Sequence, residues 1–116
     1  MNTSNGKSSV AEVDEAHFQS EVLSAKQPAL VVFSAPWSRP CQILGPVIED
    51  LADSSSGSLL VFKVDVDDHF DLGMWYEIQS IPTLLCFVKG RECVRIVGTA
   101  SKEAILAKLQ PFIATP

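Results

Sequence analysis

The chain alternates short apolar runs with segments in which apolar residues recur every three or four positions. The apolar runs, typical of buried strands, are residues 29–35, 59–66, 84–88 and 92–97, and the helical segments are 14–25, 42–52, 70–76 and 102–110. Strands that alternate with helices pair in parallel, whereas a short turn makes the last two strands antiparallel. The pattern predicts an α/β fold with a central mixed β-sheet of four to five strands flanked by about four helices.

Local signals indicate where several of these elements begin and end. Asp14 and Ser101 each precede a helical segment, and their side-chain oxygens can cap it. Pro46 lies inside the second helical segment, where it removes one backbone hydrogen bond. We therefore expect the second helix to kink there.

The dipeptide Lys89-Gly90 predicts the register of the last two strands. A two-residue hairpin loop at this point pairs Val88 with Arg91, Phe87 with Glu92 and Cys86 with Cys93. Facing thiols could form a cross-strand disulfide or an auxiliary redox pair, but the bridging geometry beside a turn is strained. We expect Cys86 and Cys93 to be two small buried apolar residues instead.

Length and composition favour one domain. The chain has 116 residues, 47% of them hydrophobic, which is enough for one core. We expect residues 1–9 to be a disordered polar tail and residues 10–116 to form the domain. The tail has no apolar stretch like that of a secretory signal, and no apolar run is long enough to span a membrane. A monomeric cytoplasmic protein without membrane contact is the expectation.

Charge and cysteine usage narrow the function classes further. The net charge of −5 argues against nucleic acid as a partner, because no basic stripe is present to neutralise phosphates. Three cysteines, an odd number, do not make a disulfide framework. Neither His17 nor His69 has metal-ligand spacing to a cysteine. We therefore expect neither a metal nor a cofactor.

The segment Trp37-Ser38-Arg39-Pro40-Cys41 joins a predicted strand to a predicted helix. Cys41 then falls in the first turn of that helix, where the helix dipole favours a thiolate. A Cys-x-x-Cys site would carry its attacking thiol at position 38, where this chain has Ser38. A hydroxyl without a base is a poor nucleophile, so Cys41 can form a mixed disulfide but the chain cannot complete a dithiol cycle.

These features together resemble the thioredoxin family. The resemblance covers roughly residues 14–112, and the residues that carry it are Phe33-Ser34-Ala35-Pro36-Trp37-Ser38-Arg39-Pro40-Cys41, Pro46, Lys63-Val64-Asp65-Val66-Asp67, Ile81-Pro82-Thr83, Gly90 and Gly98. The resemblance implies a thioredoxin fold with a cis peptide bond at Ile81–Pro82 facing Cys41. It also implies a substrate-binding surface with three walls, which are Trp37 with Arg39 and Pro40, Ile81 with Pro82, and Val97 with Gly98. Protein or peptide clients would dock there in extended form, and a thioredoxin reductase is the implied redox partner.

The chain departs from the family pattern at four positions. Ser38 replaces the attacking Cys, Arg39 replaces the usual Gly, Gln42 stands where many members have Lys, and Val32 replaces a buried Asp. Two origins of Ser38 stay open: an engineered change that blocks disulfide formation, or a native residue as in bacterial thioredoxin-like chaperones with Ser-x-x-Cys. Val32 favours the native origin, because removing the nucleophile does not require altering the buried acid.

Two main functional hypotheses follow, beside a third in which the chain is a purely structural subunit of a larger assembly. The first is a thioredoxin-type thiol–disulfide exchange protein in cell redox homeostasis, limited by Ser38 to mixed disulfides through Cys41. The alternative is a non-enzymatic client-binding module or holdase chaperone that uses the same groove. Whether the chain acts as a protein-disulfide oxidoreductase therefore depends on position 38.

Overall fold

The computed structural model of the protein describes residues 9–113. In chain order its elements are β1 (Ala11–Glu12), α1 (Glu15–Phe18), a π-helical segment (Gln19–Leu23), β2 (Ala29–Ser34), α2 (Arg39–Ser54), β3 (Leu60–Asp65), α3 (Phe70–Trp75), β4 (Thr83–Val88), β5 (Arg91–Val97) and α4 (Lys102–Leu109). The predicted α/β fold with a mixed sheet and four helices is confirmed. Of the predicted tail, residues 1–8 lie outside the described residues.

The five strands form one sheet in the order β1-β3-β2-β4-β5. β3 runs parallel to β1 and β2, and β4 runs antiparallel to β2 and β5. β2 is the central strand, and Leu30, Val31 and Phe33 in it are fully buried. This burial explains why residues 29–35 read as a continuous apolar run. β1 was not predicted, because it has two residues and both are exposed.

Helices cover both faces of the sheet, and each face has its own apolar cluster. Leu30 and Val32 pack with residues of α2 and α4, such as Leu44 and Ile105. The alternate residues of β2 pack on the opposite face with the helix near the N-terminus and with α3. The site described below therefore begins where a strand buried on both faces ends.

The hairpin corrects one prediction. The pairs of Val88 with Arg91 and of Phe87 with Glu92 are confirmed, but a register shift between Cys86 and Phe87 pairs Cys86 with Val94. The prediction that Cys86 faces Cys93 is therefore wrong. So is the expectation that both are buried, because Cys86 is buried and Cys93 is exposed. An extra residue in one strand of a pair, a β-bulge, shifts every later side chain to the other face.

The helix ends follow local chemistry. Asp14 caps α1, since its Oδ1 accepts a hydrogen bond from the His17 backbone N–H at 2.9 Å. Ser101 caps α4 in the same way through Ala104. The single predicted helix over residues 14–25 instead changes to π-helical geometry after Phe18. No helix within residues 9–113 is long and apolar enough to cross a bilayer.

Candidate functional site

Ser38 begins the second helix. It is the N-cap of α2, and its Oγ accepts a hydrogen bond from the Cys41 backbone N–H at 3.4 Å. Pro40 lies in the first turn, where a missing N–H costs no helical hydrogen bond. Ser38 is only 5% exposed. At the position where the family resemblance implies an attacking thiol, the chain thus has a buried hydroxyl that stabilises the helix start.

The apolar spacing predicted a start of this helix at residue 42, but α2 begins three residues earlier, at Arg39, behind the Ser38 cap. The signal was present, because Ser at the N-cap followed by Pro in the first turn is a typical helix start. Pro40 was instead treated only as part of the redox motif. Ser38 therefore stabilises the start of α2, and it also leaves Cys41 as the one thiol of the segment 37–41.

Cys41 is partly exposed and borders two cavities. One is a small cavity of about 80 Å³, which it lines together with Val32, Lys63 and Pro82. The other is a larger cleft of about 290 Å³ whose lining includes Gln42 and Lys63. Cys41 is therefore accessible from the side of Pro82 and from the side of β3.

Val32 places an apolar side chain in the wall of the small cavity, at the position where the family resemblance implies a buried acid. Its side chain is 5% exposed. Lys63 lines the same cavity, and its Nζ atom lies 3.9 Å from Glu12 Oε2. Glu49, which was not among the predicted site residues, also lines this cavity. Its spacing of eight residues from Cys41 places both on one face of α2, which is the signal that could have found it.

The residues of the three predicted walls of the substrate-binding surface lie near Cys41. Trp37 is 69% exposed, and its Nε1–H donates a hydrogen bond to Asp67 Oδ2 at 2.6 Å. Arg39 and Pro40 are exposed in the first turn of α2. The Ile81–Pro82 peptide bond is cis.

Backbone contacts connect the second and third walls. The Gly98 N–H donates to the Pro82 carbonyl at 2.8 Å, and Thr83 pairs with Val97 across the sheet. Val97 is 62% exposed. Trp37 and Ile81 line a further cleft. The structure therefore brings Cys41, Pro82, Ile81 and Gly98 together at one end of the sheet.

The remaining cysteines differ in their surroundings. Burial raises the pKa of the Cys86 thiol to about 11, and the neighbouring Cys93 adds to the increase. Because the thiolate is the reactive form, Cys86 is unreactive at neutral pH. Cys93 is exposed, and its Sγ donates to the Arg91 carbonyl at 3.5 Å. Neither thiol lines the cavities beside Cys41.

The histidines have carboxylate partners. His69 Nδ1 lies 2.8 Å from Glu15 Oε1, which links α3 to α1. His17 Nδ1 lies 2.7 Å from the capping Asp14 Oδ1. Among the described residues no cluster of three or more His, Cys, Asp or Glu side chains could hold a metal ion.

Comparisons with known proteins agree with this architecture. The model of the thioredoxin family matches residues 9–111. A thioredoxin of Mycobacterium tuberculosis is 38% identical over 111 residues, which cover 96% of this chain and 96% of that protein. A thioredoxin of Pyropia yezoensis is 35% identical over 106 residues, or 91% of this chain and 99% of that protein. A bifunctional thioredoxin reductase/thioredoxin of Mycobacterium leprae is 38% identical over 102 residues, or 88% of this chain and 22% of that protein.

Proposed function

The chain belongs to the thioredoxin family, and we propose that it is a thioredoxin-type thiol–disulfide exchange protein acting in cell redox homeostasis through Cys41 alone. The observation that carries the proposal is the position of Cys41. It lies in the first turn of α2 and lines the same small cavity as Pro82. Cys41 is partly exposed there, so its sulfur can be reached by a client disulfide.

The proposed step is a single exchange with a client disulfide. The Cys41 thiolate attacks one sulfur, the client S–S bond breaks, and a bond forms between Cys41 and that sulfur. The second client sulfur leaves as a thiolate and takes up a proton from water. The Ser38 hydroxyl cannot repeat the attack within the chain, so release of the client requires a thiol from another molecule, such as glutathione.

The surface around Cys41 is proposed to bind the client in extended form. Trp37, Arg39 and Pro40 would contact one side of the client, and Val97 with Gly98 the other. Ile81 and Pro82 directly precede β4 in the chain, so a client strand beside them would prolong the pairing pattern of the sheet. The exposure of Trp37 and Val97 supports this assignment.

A thioredoxin reductase is the proposed redox partner of a monomeric, cytoplasmic protein. The relative from Mycobacterium leprae combines a reductase and a thioredoxin in its name. With Ser38 in place, such a reductase would act on a mixed disulfide of Cys41, since the site cannot form an internal one. The cytoplasm suits the proposal because thiols are kept reduced there.

Restoring the second thiol tests the exchange function. We expect the unaltered chain not to accelerate insulin reduction by dithiothreitol, and Ser38→Cys to accelerate it at least about tenfold, since the two thiols can then complete the cycle. Ser38→Ala, which also removes the hydroxyl cap but adds no thiol, is the matched control and should stay inactive. An inactive but folded Ser38→Cys variant would contradict the redox function of this scaffold.

The alternative is a client-binding module or holdase, and one pair of substitutions favours it. Ser38 and Val32 remove the attacking thiol and the buried acid, whereas the exposed apolar Trp37 and Val97 remain. If binding is the function, the unaltered chain and Cys41→Ser should suppress the aggregation of an unfolded client protein equally. No suppression by either chain would exclude the holdase.

A further inference from the structure

One face of α2 leaves an open path between Cys41 and a carboxylate. Cys41, Gly45 and Glu49 follow one another at intervals of four residues, which places them in one row along the helix. All three line the small cavity of about 80 Å³. Beyond the backbone of its own helix and its two chain neighbours, a Cβ atom built on Gly45 would meet nothing within 4 Å. The middle of the row is therefore open space rather than a packed side chain.

The length of this path calls for water between the thiol and the carboxylate. Eight residues of α-helix separate Cys41 from Glu49 by about 12 Å along the axis, which is too far for a direct hydrogen bond. Helical side chains lean towards the N-terminus, so the Glu49 side chain shortens the gap from its end. A bound water needs about 10–15 Å³ of such space and two or more polar partners. The cavity has room for several waters, and Ser34 and Lys63 in its wall are further partners.

Glu49 differs in position from the other charged groups around Cys41. The charged side chains that line the two cavities beside this thiol are Glu49 of α2, Lys63 and Asp65 of β3, Glu12 of β1, and Asp68 after β3. Lys63 Nζ lies 3.9 Å from Glu12 Oε2, so these two charges partly balance each other. Glu12, Asp65 and Asp68 line the larger cleft. Among the described residues, Glu49 is the carboxylate that lines the small cavity.

We propose that Glu49 is a positioning residue for exchange at Cys41, and that its carboxylate accepts, through water beside Gly45, the proton that Cys41 loses when it attacks a disulfide. A bond forms between Cys41 Sγ and one sulfur of the disulfide, the S–S bond breaks, and the other sulfur leaves as a thiolate. The proton passes along the water to Glu49 and then to solvent. The inference rests on the proposed exchange function and adds the group that takes the proton. With Val32 apolar, the acid of the site is supplied by α2.

The rate at which Cys41 reacts with bis(2-hydroxyethyl) disulfide tests this inference. The probe is uncharged, so a change of charge at position 49 does not alter its attraction to the protein. Cys93→Ser serves as the parent chain, because Cys93 is exposed and would compete for the probe. Mass spectrometry of the intact protein follows the mixed disulfide. We expect Glu49→Gln to slow its formation at pH 7 at least about fivefold, and Glu49→Asp to retain most of the rate.

The pH profile of this rate distinguishes a proton acceptor from a residue that only supports the fold. With Glu49 as acceptor, the rate should be nearly constant between the ionisation of the carboxylate and that of the thiol. In Glu49→Gln, Cys41 must first lose its proton to solvent, so the rate should rise about tenfold per pH unit there. Asp50→Asn is the matched control, because Asp50 follows Glu49 on α2 but contacts Lys102 and does not line the cavity. Identical profiles for the parent and Glu49→Gln would overturn the inference.

Filling the path tests the water step. Gly45→Leu keeps both Cys41 and Glu49 but occupies the open space between them, so we expect it to have the pH profile of Glu49→Gln. Gly45→Ala adds only one methyl group and should keep the constant rate of the parent. Thermal unfolding checks that both variants fold, and neither should be less stable, because glycine is a poor helix former. A folded Gly45→Leu variant with the parent profile would overturn the path through water.

The outcomes separate this inference from the function on which it rests. A mixed disulfide that forms equally fast in the parent and Glu49→Gln at every pH would contradict the role of Glu49 alone. A folded parent chain that forms no mixed disulfide at Cys41 would contradict the proposed exchange function, and the inference with it. A reaction of Cys41 that depends on Glu49, together with a folded Ser38→Cys variant that does not reduce insulin, would contradict the redox function of the scaffold alone.

Discussion

At the scale of single residues, side-chain oxygens fix where the helices begin. Ser38, Asp14 and Ser101 each accept a hydrogen bond from a backbone N–H three residues later. Asp14 and Ser101 were predictable because each precedes an apolar periodic segment. Ser38 carried the same kind of signal, with Pro40 in the first turn, but the residues that follow it also resemble a redox motif, which hid the helix start. The Ser38 hydroxyl caps α2, but it is a poor nucleophile in place of a thiol.

The cap of α1 makes a residue-scale prediction. The hydrogen bond that the His17 ring donates to the Asp14 carboxylate raises the pKa of the His17 imidazole above 6.5, and the nearby charges of Asp14 and Glu21 raise it further. The same hydrogen bond lowers the pKa of Asp14 below 3.8. We expect Asp14→Asn to lower the His17 pKa towards its ordinary value, as measured by NMR titration of the ring protons.

The sign of the effect on stability follows from the two shifts. The pair stabilises the fold between the two pKa values. Its contribution is lost as the pH rises through the raised pKa of His17, and also as the pH falls through the lowered pKa of Asp14. Glu21→Gln is the control and should lower the His17 pKa by less, because the effect of Glu21 is the smallest. An unchanged His17 titration in Asp14→Asn would rule out the hydrogen bond as its cause.

At the scale of elements, the β4–β5 hairpin shows what sequence patterns capture and what they miss. The turn was predictable from Lys89-Gly90, whose residues both have positive φ. The bulge was not predicted, although the apolar spacing contains a hint. Without the bulge, Arg95 would take the place of Ile96 on the face beneath α2 and α4. The conflict between turn register and apolar spacing is the signal that could have revealed it.

The tip of this hairpin provides the element-scale prediction. Gly90 has φ of +82°, and a Cβ atom there would lie 3.2 Å from the Leu23 carbonyl oxygen. We expect Gly90→Ala to lower the free energy of unfolding by about 1–2 kcal/mol, from the left-handed backbone conformation and the close contact. Urea unfolding followed by circular dichroism measures the change.

The matched control is the same substitution in a helix. Gly73 lies in α3, where an added Cβ meets only Val66 at ordinary contact distance. Gly73→Ala should raise the free energy of unfolding by roughly 0.5–1 kcal/mol, because alanine loses less backbone freedom in a helix. If Gly90→Ala were as stable as the unaltered chain, the turn would not require a glycine.

At the scale of the whole molecule, the central strand connects the fold to the site. Its continuous apolar run predicted a strand covered on both faces, and the two clusters of the core confirm this. The position of β1 could not be predicted, because two exposed residues have no pattern and are held by backbone pairing with β3. The clefts beside Cys41 could not be predicted either, since they depend on how α2 and the loop at Pro82 pack together.

A substitution at Val32 tests how much a carboxylate buried beside the site destabilises the fold. We expect Val32→Asp to lower the free energy of unfolding at neutral pH by roughly 2–4 kcal/mol, because it places a carboxylate in the apolar cluster beneath α2. Burial raises the pKa of that carboxyl above its unfolded value. The loss in the free energy of unfolding should therefore be smaller in acid, and it should grow as the pH rises through the unfolded pKa.

The measurement is thermal unfolding between about pH 4 and pH 8, compared with Val32→Asn. The Asn variant has a similar shape but no charge, so it should be destabilised without this pH dependence. Identical pH profiles for the two variants would mean that the introduced carboxylate is not buried. Lys63, which lines the same cavity, would then be the residue to examine as its partner.

The bulge in β5 also affects how the molecule avoids joining its copies edge to edge. β5 and β1 are the two outer strands of the sheet, where unpaired N–H and C=O groups can recruit a strand from another chain. The bulge interrupts that row on β5, and Arg91, Glu92 and Arg95 add charge to it. β1 is too short, at two residues, to serve as a template. The bulge that removes Cys93 from its pairing with Cys86 thus also protects the sheet from edge-to-edge aggregation.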